Sequence, residues 1–325
     1  MKFLHRVKRI FFYSIAFIII LLIVGTVWQW SAEKNDNATF LPPGKMISVG
    51  SHQLHIVIKG TGKPVVVLEA ASDGSSANWE WVINEIAKTT TVCAYDRAGH
   101  GWSEAADGTR DAIHIADEVH ILLSKANLAA SYILVGHSAG GLFVRAYQQQ
   151  YPDEVAGMVL VDADNEKETT SLPGFVEQLN SDKQFAKNMS AFSYAGIARL
   201  IFSLKTPAPT LPALQGKQIQ SSWSSSKHWK GLAQELDARL QTNAEVAAKR
   251  KPLTIPLEII SAGRQPAAWL ALQNDLATLS AISRHTVVQD ADHLSLVLQK
   301  ENAKETSAAI MRVIDAIRLD TKQSD

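Results

Sequence analysis

One cysteine, Cys93, in 325 residues excludes an internal disulfide framework and any metal site built on several cysteines. It sits in the short strand-like run Thr91-Val92-Cys93-Ala94-Tyr95 and reads as a small buried hydrophobe. Neither sign of charge is in excess: 32 Lys and Arg balance 32 Asp and Glu, so the chain has no electrostatic case for binding nucleic acid. No internal repeat and no low-complexity segment interrupts it. What remains, 46% hydrophobic and 20% charged residues, suits one large α/β domain with an insertion or two ordinary domains.

Charge is missing altogether from residues 10–28, which after Ile10 read FFYSIAFIIILLIVGTVW. That length is about what a hydrocarbon core requires. Lys2, His5, Arg6, Lys8 and Arg9 precede it, and Trp28 and Trp30 mark its far end as interfacial aromatics do. The positive-inside rule then keeps the N-terminus cytoplasmic and exports the rest, to the periplasm or the cell exterior. A cleaved signal peptide is the competing reading, but the apolar stretch is long for one and no A-x-A-like site follows. No cysteine lies near its end, which argues against a lipoprotein anchor. The expected division is a transmembrane signal anchor over 1–30, a polar linker over 31–45, an α/β core over 46–164 and 252–319, and a helical cap over 165–251.

Beyond the linker, runs at 46–49 and 53–58 flank Gly50-Ser51-His52 and predict a hairpin at a sheet edge. The continuous apolar run 64–68 reads as a parallel strand covered on both faces. A helix near 79–88, a strand at 92–95, a helix over about 110–127, and strands at 132–135 and 156–161 follow in alternation, the rhythm of a doubly wound sheet. From 165 to about 251 no good strand appears. Helix-like pieces at 174–179, 191–203 and 231–250 are separated by the proline-rich stretch 206–212. Strands return at 257–260 and 285–288, and a helix over about 295–318 closes the chain. An insertion after the sixth strand would lie over the strand ends as a cap.

Directly after the strand at 132–135 stands Gly136-His137-Ser138-Ala139-Gly140-Gly141, and directly after that a helical stretch. This is a G-x-S-x-G elbow in strand–turn–helix context, which makes Ser138 the candidate nucleophile. The glycines keep the turn tight, and the Ala139 N–H lies at a helix N-terminus where an oxyanion would be stabilised. A serine hydroxyl needs a base, expected on the loop after the last strand, where Asp290-Ala291-Asp292-His293 offers His293. Most of the ten histidines have plainer places: His5 in the basic flank, His52 and His55 in the early strand pair, His228 in the cap, where it is either exposed or lines the pocket, and His137 packed beside the nucleophile. The acid that orients the base is sought after strand seven or at the end of strand six. After strand seven no carboxylate occurs before Asp275, which reads as helical. After strand six Val161-Asp162-Ala163-Asp164 supplies two, and Asp162, at the strand end, is preferred with Asp164 the alternative.

These strings, together with Tyr95-Asp96-Arg97-Ala98-Gly99-His100-Gly101-Trp102-Ser103, resemble the α/β-hydrolase superfamily, in particular its cap-bearing, esterase-like serine hydrolases, over about residues 46–319. The resemblance implies a mostly parallel sheet with the cap inserted after strand six. It also implies a second oxyanion donor after strand three. There the family's His-Gly is replaced by Ala70-Ala71, so that the Ser72 backbone becomes the donor and Ala71 the alternative. Asp96 and Arg97 would brace the loop beside the site.

The expected function is a membrane-anchored serine hydrolase cleaving a carboxylester-like bond of a small acyl substrate, with no metal and no cofactor. The serine at the elbow argues against haloalkane dehalogenase or epoxide hydrolase chemistry, where this fold places an aspartate. A proline-iminopeptidase-like peptidase, a thioesterase, a C–C hydrolase or a cofactor-free haloperoxidase are alternatives on the same fold, and an idle hydrolase fold serving as a tethered binding or scaffold protein is the alternative of another class. The peptidase would need a clustered acidic pocket, which the cap sequence does not display. Trp223, Trp229, Phe175, Phe185, Phe192 and Phe202 would either line an apolar pocket or pack the cap's own core.

Overall fold

A computed structural model describes residues 2–204 and 208–324; residues 206 and 207 of the proline-rich stretch lie outside it. The chain opens on helix α1 (Lys2–Thr39). Strands β1 (Lys45–Ser48), β2 (Gln53–Lys59) and β3 (Val65–Glu69) follow, then α2 (Glu80–Ile86), β4 (Val92–Tyr95), α3 (Ala112–Lys125), β5 (Tyr132–His137), α4 (Gly140–Gln150) and β6 (Val155–Val161). Six helices come next: α5 (Glu168–Ser171), α6 (Phe175–Tyr194), α7 (Ile197–Ser203), α8 (Ala213–Trp223), α9 (Ser226–Asp237) and α10 (Arg239–Ala248). The chain then completes the sheet with β7 (Leu257–Ala262), α11 (Ala267–Ala277), β8 (Ser283–Val288), α12 (Ser295–Leu298) and α13 (Lys300–Ser324).

The sheet order is β1-β2-β4-β3-β5-β6-β7-β8, with β1, β2 and β4 joined antiparallel and every pair from β4 to β8 parallel. Alternation along each strand divides the core. Val65, Val67, Cys93, Leu134 and Leu160 pack under α3 and α4, whereas Val66, Leu68, Ala94, Val135 and Val161 pack under α2 and α13. Burial on both faces is why these strands read as unbroken apolar runs. Because β3 sits between β4 and β5, the order reverses there, and the loops leaving β3 and β5 meet at the carboxyl edge of the sheet. That edge is where doubly wound folds bind ligands.

The insertion after β6, α5 to α10, has a small core of its own in Ala186, Met189, Ala198, Phe202, Trp229, Leu232 and Ala233. Helix α8 lies where no helix is expected from the sequence, and the helix expected over 231–250 is broken between α9 and α10. A larger difference lies at the N-terminus. The expected linker is helical as far as Thr39, so α1 runs without a hinge from its apolar stretch into the rest of the protein. Tertiary contacts override the weak helix propensity of Asn and Asp there. Gln29 bonds to the Ser224 carbonyl at 2.8 Å and receives Arg199 at 2.9 Å; Asp36 accepts from Arg199 at 2.7 Å and from Ser221 at 2.9 Å. Among the described residues α1 is the one helix long and apolar enough to cross a membrane, and its most apolar stretch is wholly uncovered.

Candidate active site

At the end of β5 the chain reverses through Ser138, whose φ of +55° lies in the left-handed region. A non-glycine residue there costs about 1–2 kcal/mol, and the surroundings enforce it. The Ser138 N–H donates to the Val161 carbonyl at 3.2 Å, while the Ser138 carbonyl accepts from Gly141 and Asp164, both at 2.9 Å. A Cβ on Gly136 would stand 2.5 Å from the Gly140 carbonyl oxygen, and one on Gly140 would stand 2.6 Å from that of Glu69. The two glycines are therefore required by sterics, and the turn they permit lifts the serine above the sheet edge.

At the end of β6, Asp162 is the second strained residue, with φ of +42°. Its carboxylate is fully buried. Oδ1 accepts from the Ala262 N–H at 3.1 Å and the Trp269 indole at 3.0 Å; Oδ2 accepts from Gln265 at 2.7 Å and from His293 Nδ1 at 2.7 Å. Burial alone would raise the Asp162 pKa, but the bonds from His293, Gln265 and Trp269 outweigh it and hold it below the ordinary carboxylate value. The carboxylate therefore stays ionised, the His293 proton sits on Nδ1, and Nε2 is left as the basic nitrogen. Burial would push His293 down in turn, yet the hydrogen bond and charge of Asp162, with Asp164 and Asp73 behind it, keep it above its usual value.

Of the two carboxylates the sequence offered, Asp162 is the one that touches His293. Asp164 instead accepts a bond from the Ser138 hydroxyl at 3.3 Å and pairs with Arg239 at 2.6 Å. In this resting arrangement the serine's partner is thus Asp164 rather than His293. His137 lies beside the base, as expected: its Nε2–H donates to the His293 carbonyl at 3.0 Å, and the two rings are 4.7 Å apart. Burial, reinforced by the neighbouring His293, drives its pKa down to about 3, so it is a neutral spacer that fixes the His293 loop.

The candidate oxyanion donors occupy two loops that adjoin at the β3–β5 reversal. Ala139 caps α4, and its N–H makes no hydrogen bond among the described residues. After β3 the Ala71 carbonyl accepts from the Gly74 N–H at 2.9 Å, closing a turn with Ser72 and Asp73 at its centre and leaving the Ser72 N–H unused. The turn is held from behind. The Arg97 guanidinium donates to the carbonyls of Ala70, Ala71 and Ser72 at 2.8–2.9 Å, and also to Glu69 and to Glu235 of α9. Asp96 braces the adjoining loops by accepting from Ser76 N–H, His55 and Trp102 N–H. The bracing role expected of this pair was legible in the motif; the grip on the turn's carbonyls was not.

A cavity of about 460 Å³ lies between this edge and the cap. Its wall includes Ser72, Asp164, which holds the serine hydroxyl, and Trp269, which packs edge-on against His293. Phe175, Phe185, Phe202, Trp223 and Trp229 supply its apolar side, while Phe192 faces outward. Phe202 and Trp229 also belong to the cap's own core, so the two expected uses of these aromatics coincide. The acidic cluster that the cap sequence did not display is present in space. Asp73, Asp164, Glu168 and Asp182 converge on the cavity from three segments, and Arg239 pairs with two of them, Asp164 and Glu168. Burial, with the charge of Asp164, raises Glu168 to about 7 even beside Arg239.

A family profile described as alpha/beta hydrolase fold matches residues 63–199, the stretch that runs from β3 through the elbow into the cap. The chain has the α/β-hydrolase fold. A thermophilic esterase from Thermogutta terrifontis superposes with a TM-score of 0.65 over 84% of this chain and 99% of its own, at 18% identity. An epoxide hydrolase from Bacillus megaterium superposes equally well, with a TM-score of 0.65 over 83% of this chain and 100% of its own, at 15% identity. These likenesses fix the fold of the chain and leave its chemistry to the site. Among curated proteins, an uncharacterised protein of Bacillus subtilis is 27% identical over 165 residues, 50% of this chain and 51% of its own. The chain spans about half the length of the curated relatives it matches first.

Proposed function

We propose that this protein is a membrane-anchored serine hydrolase that cleaves carboxylester-like bonds through an acyl-enzyme. What supports the reading is the His293–Asp162 hydrogen bond at the sheet edge that also carries the strained Ser138 elbow, with two unused N–H groups on the adjoining loops. For attack, the Ser138 hydroxyl turns from Asp164 to Nε2 of His293, a tightening that resting enzymes often reserve for the bound complex. His293 takes the proton as Oγ adds to the carbonyl, and Asp162 stabilises the imidazolium. The Ala139 and Ser72 N–H groups receive the oxyanion. His293 then protonates the leaving group, and water, activated by the same nitrogen, releases the acid. An elbow aspartate, the nucleophile of epoxide-opening members, has no counterpart at position 138.

Residues 10–28 of α1 would cross the bilayer with Lys2, Arg6, Lys8 and Arg9 on the cytoplasmic side, placing the catalytic domain outside the cytoplasm. A second reading, a peptidase or amidase taking a substrate with a free amine, is favoured by the acids Asp73, Asp164 and Glu168 on the cavity wall. One panel separates the two: p-nitrophenyl esters of graded chain length beside aminoacyl arylamides, with Ser138→Ala as control. Turnover of the esters alone supports the first reading, and turnover of the arylamides alone replaces it with the second.

A further inference from the structure

Helix α7 is apolar on both sides. Ala198 and Phe202 face inward, and Phe202 stacks on Trp229 with ring centroids 5.7 Å apart in the cavity wall. Ile197, Leu200, Ile201 and Leu204, spaced as one helical stripe, face outward, with Leu204 80% exposed. A helix on the surface of a water-soluble domain carries polar residues on that stripe. Phe192 and Tyr194 at the end of α6 extend the exposed apolar surface, and Arg199 is the lone charged residue between 188 and 204. Arg199 is itself turned aside onto Gln29 and Asp36 of α1.

The patch adjoins α1 at a defined height. A Cβ on Gly25 would stand 2.3 Å from the Ala195 carbonyl oxygen, and one on Gly196 would stand 2.7 Å from the Trp28 ring, so the α6–α7 turn is seated directly against α1. Gly25 and Trp28 are at the far end of the uncharged stretch, where interfacial aromatics mark the membrane surface. With no hinge between the apolar part of α1 and this contact, the height of the patch relative to the bilayer is fixed by the helix.

We propose that the outer face of α7 and the end of α6 lie in the membrane surface beside α1, and that the cavity behind them receives an apolar ester dissolved in the bilayer. The proposal rests on the reading of α1 as a membrane anchor. Its occupant is the lipid bilayer, because the patch is continuous with the apolar surface of α1. One layer of side chains separates the patch from the cavity. Phe202, on the inner side of α7, is part of the cavity wall, and Phe185, 55% exposed, lines the same wall and packs edge-on against Trp229. Apolar burial beside an existing anchor needs no further lipid specificity.

The test uses the full chain in phosphatidylcholine vesicles, with a thiol-reactive fluorophore at Leu204→Cys, Ile18→Cys or Lys249→Cys. Cys93 is buried and burial pushes its thiol up to about 12, so the native background is silent. Nitroxide-labelled lipids are expected to quench the fluorophores at 204 and 18 and to spare the one at 249. Quenching at 18 without quenching at 204 overturns this proposal alone, and a second copy of the chain covering the patch would give that result. No quenching at either position overturns the anchor as well. In the same vesicles, Leu200→Glu combined with Leu204→Glu should lower turnover of a long-chain, bilayer-dissolved ester by about tenfold, while a short water-soluble ester changes by less than about twofold. Equal loss on both esters contradicts delivery from the bilayer. The quenching arm decides membrane contact even if no ester is turned over.

Discussion

Replacing Arg97 with Met tests whether one buried cation serves two separate ends. Burial would raise the pKa of Glu235, but Arg97 and His100 outweigh it and hold it at about 2, whereas burial keeps Glu69 near about 7 even beside the guanidinium. Removing the cation leaves Glu235 buried without its main counter-charge and lets Glu69 take up a proton. Breaking a buried pair from one side costs about 3–5 kcal/mol. For a domain of this size about 2–4 °C of melting temperature is lost per kcal/mol, so Arg97→Met should melt about 10 °C lower. The same change strips the guanidinium from the carbonyls of Ala70, Ala71 and Ser72, and a misplaced oxyanion donor costs about 10²–10³ in kcat. The two effects separate in a triple variant, Arg97→Met with Glu69→Gln and Glu235→Met. Replacing a buried ion pair with apolar groups is about neutral in stability, so the triple variant should regain most of the melting temperature. Its ester turnover should stay low, because the turn carrying Ser72 is still unsupported. Thermal melts and kcat, measured on the full chain in detergent, read both quantities. A loss below about 1 kcal/mol in the single variant, or recovery of kcat with stability in the triple, would refute this account of Arg97.

Asp162→Asn should lower kcat by about 10²–10⁴ through loss of the oriented tautomer, while Asp164→Asn keeps most turnover; the reverse order would make Asp164 the acid. Under the proposed mechanism the acid limb of kcat/KM reports His293, which must be neutral to accept the serine proton. Its folded pKa is raised above 6.5, so activity should fall as pH drops through a midpoint above that value, and Asp162→Asn should move the midpoint down. A midpoint unmoved by Asp162→Asn would mean that another group titrates. Gly136→Ala, whose Cβ would lie 2.5 Å from backbone, should abolish soluble folded expression or cost more than about 3 kcal/mol by denaturant melt; a well-folded, active variant would contradict the steric reading of the elbow.

The central strands were legible because burial on both faces leaves a continuous apolar run between turn signals, and the elbow was legible because its glycines and serine follow that run directly. The positions of His293 and Asp162 follow from strand order, since one stands on the loop after β8 and the other directly after β6. Other features depend on contacts across the chain. Residues 31–39 are polar and suggest a linker, yet Asp36 and Gln29 are claimed by Arg199, Ser221 and Ser224, from segments more than 160 residues away. The acidic wall of the cavity joins Asp73, from the loop after β3, to Asp164 and Glu168 of the acidic run after β6, and only the fold brings these two segments together. Ser138 bonding to Asp164 was likewise hidden, because it depends on where Arg239 of the cap holds that carboxylate.

Covalent labelling by a fluorophosphonate probe reads whether Ser138 is an activated nucleophile. The wild-type chain should be labelled at Ser138, with the rate falling as pH drops and His293 gains its proton, and Ser138→Ala should take no label. An unlabelled wild-type protein, under conditions that label a known serine esterase, would contradict the assignment of Ser138 as an activated nucleophile.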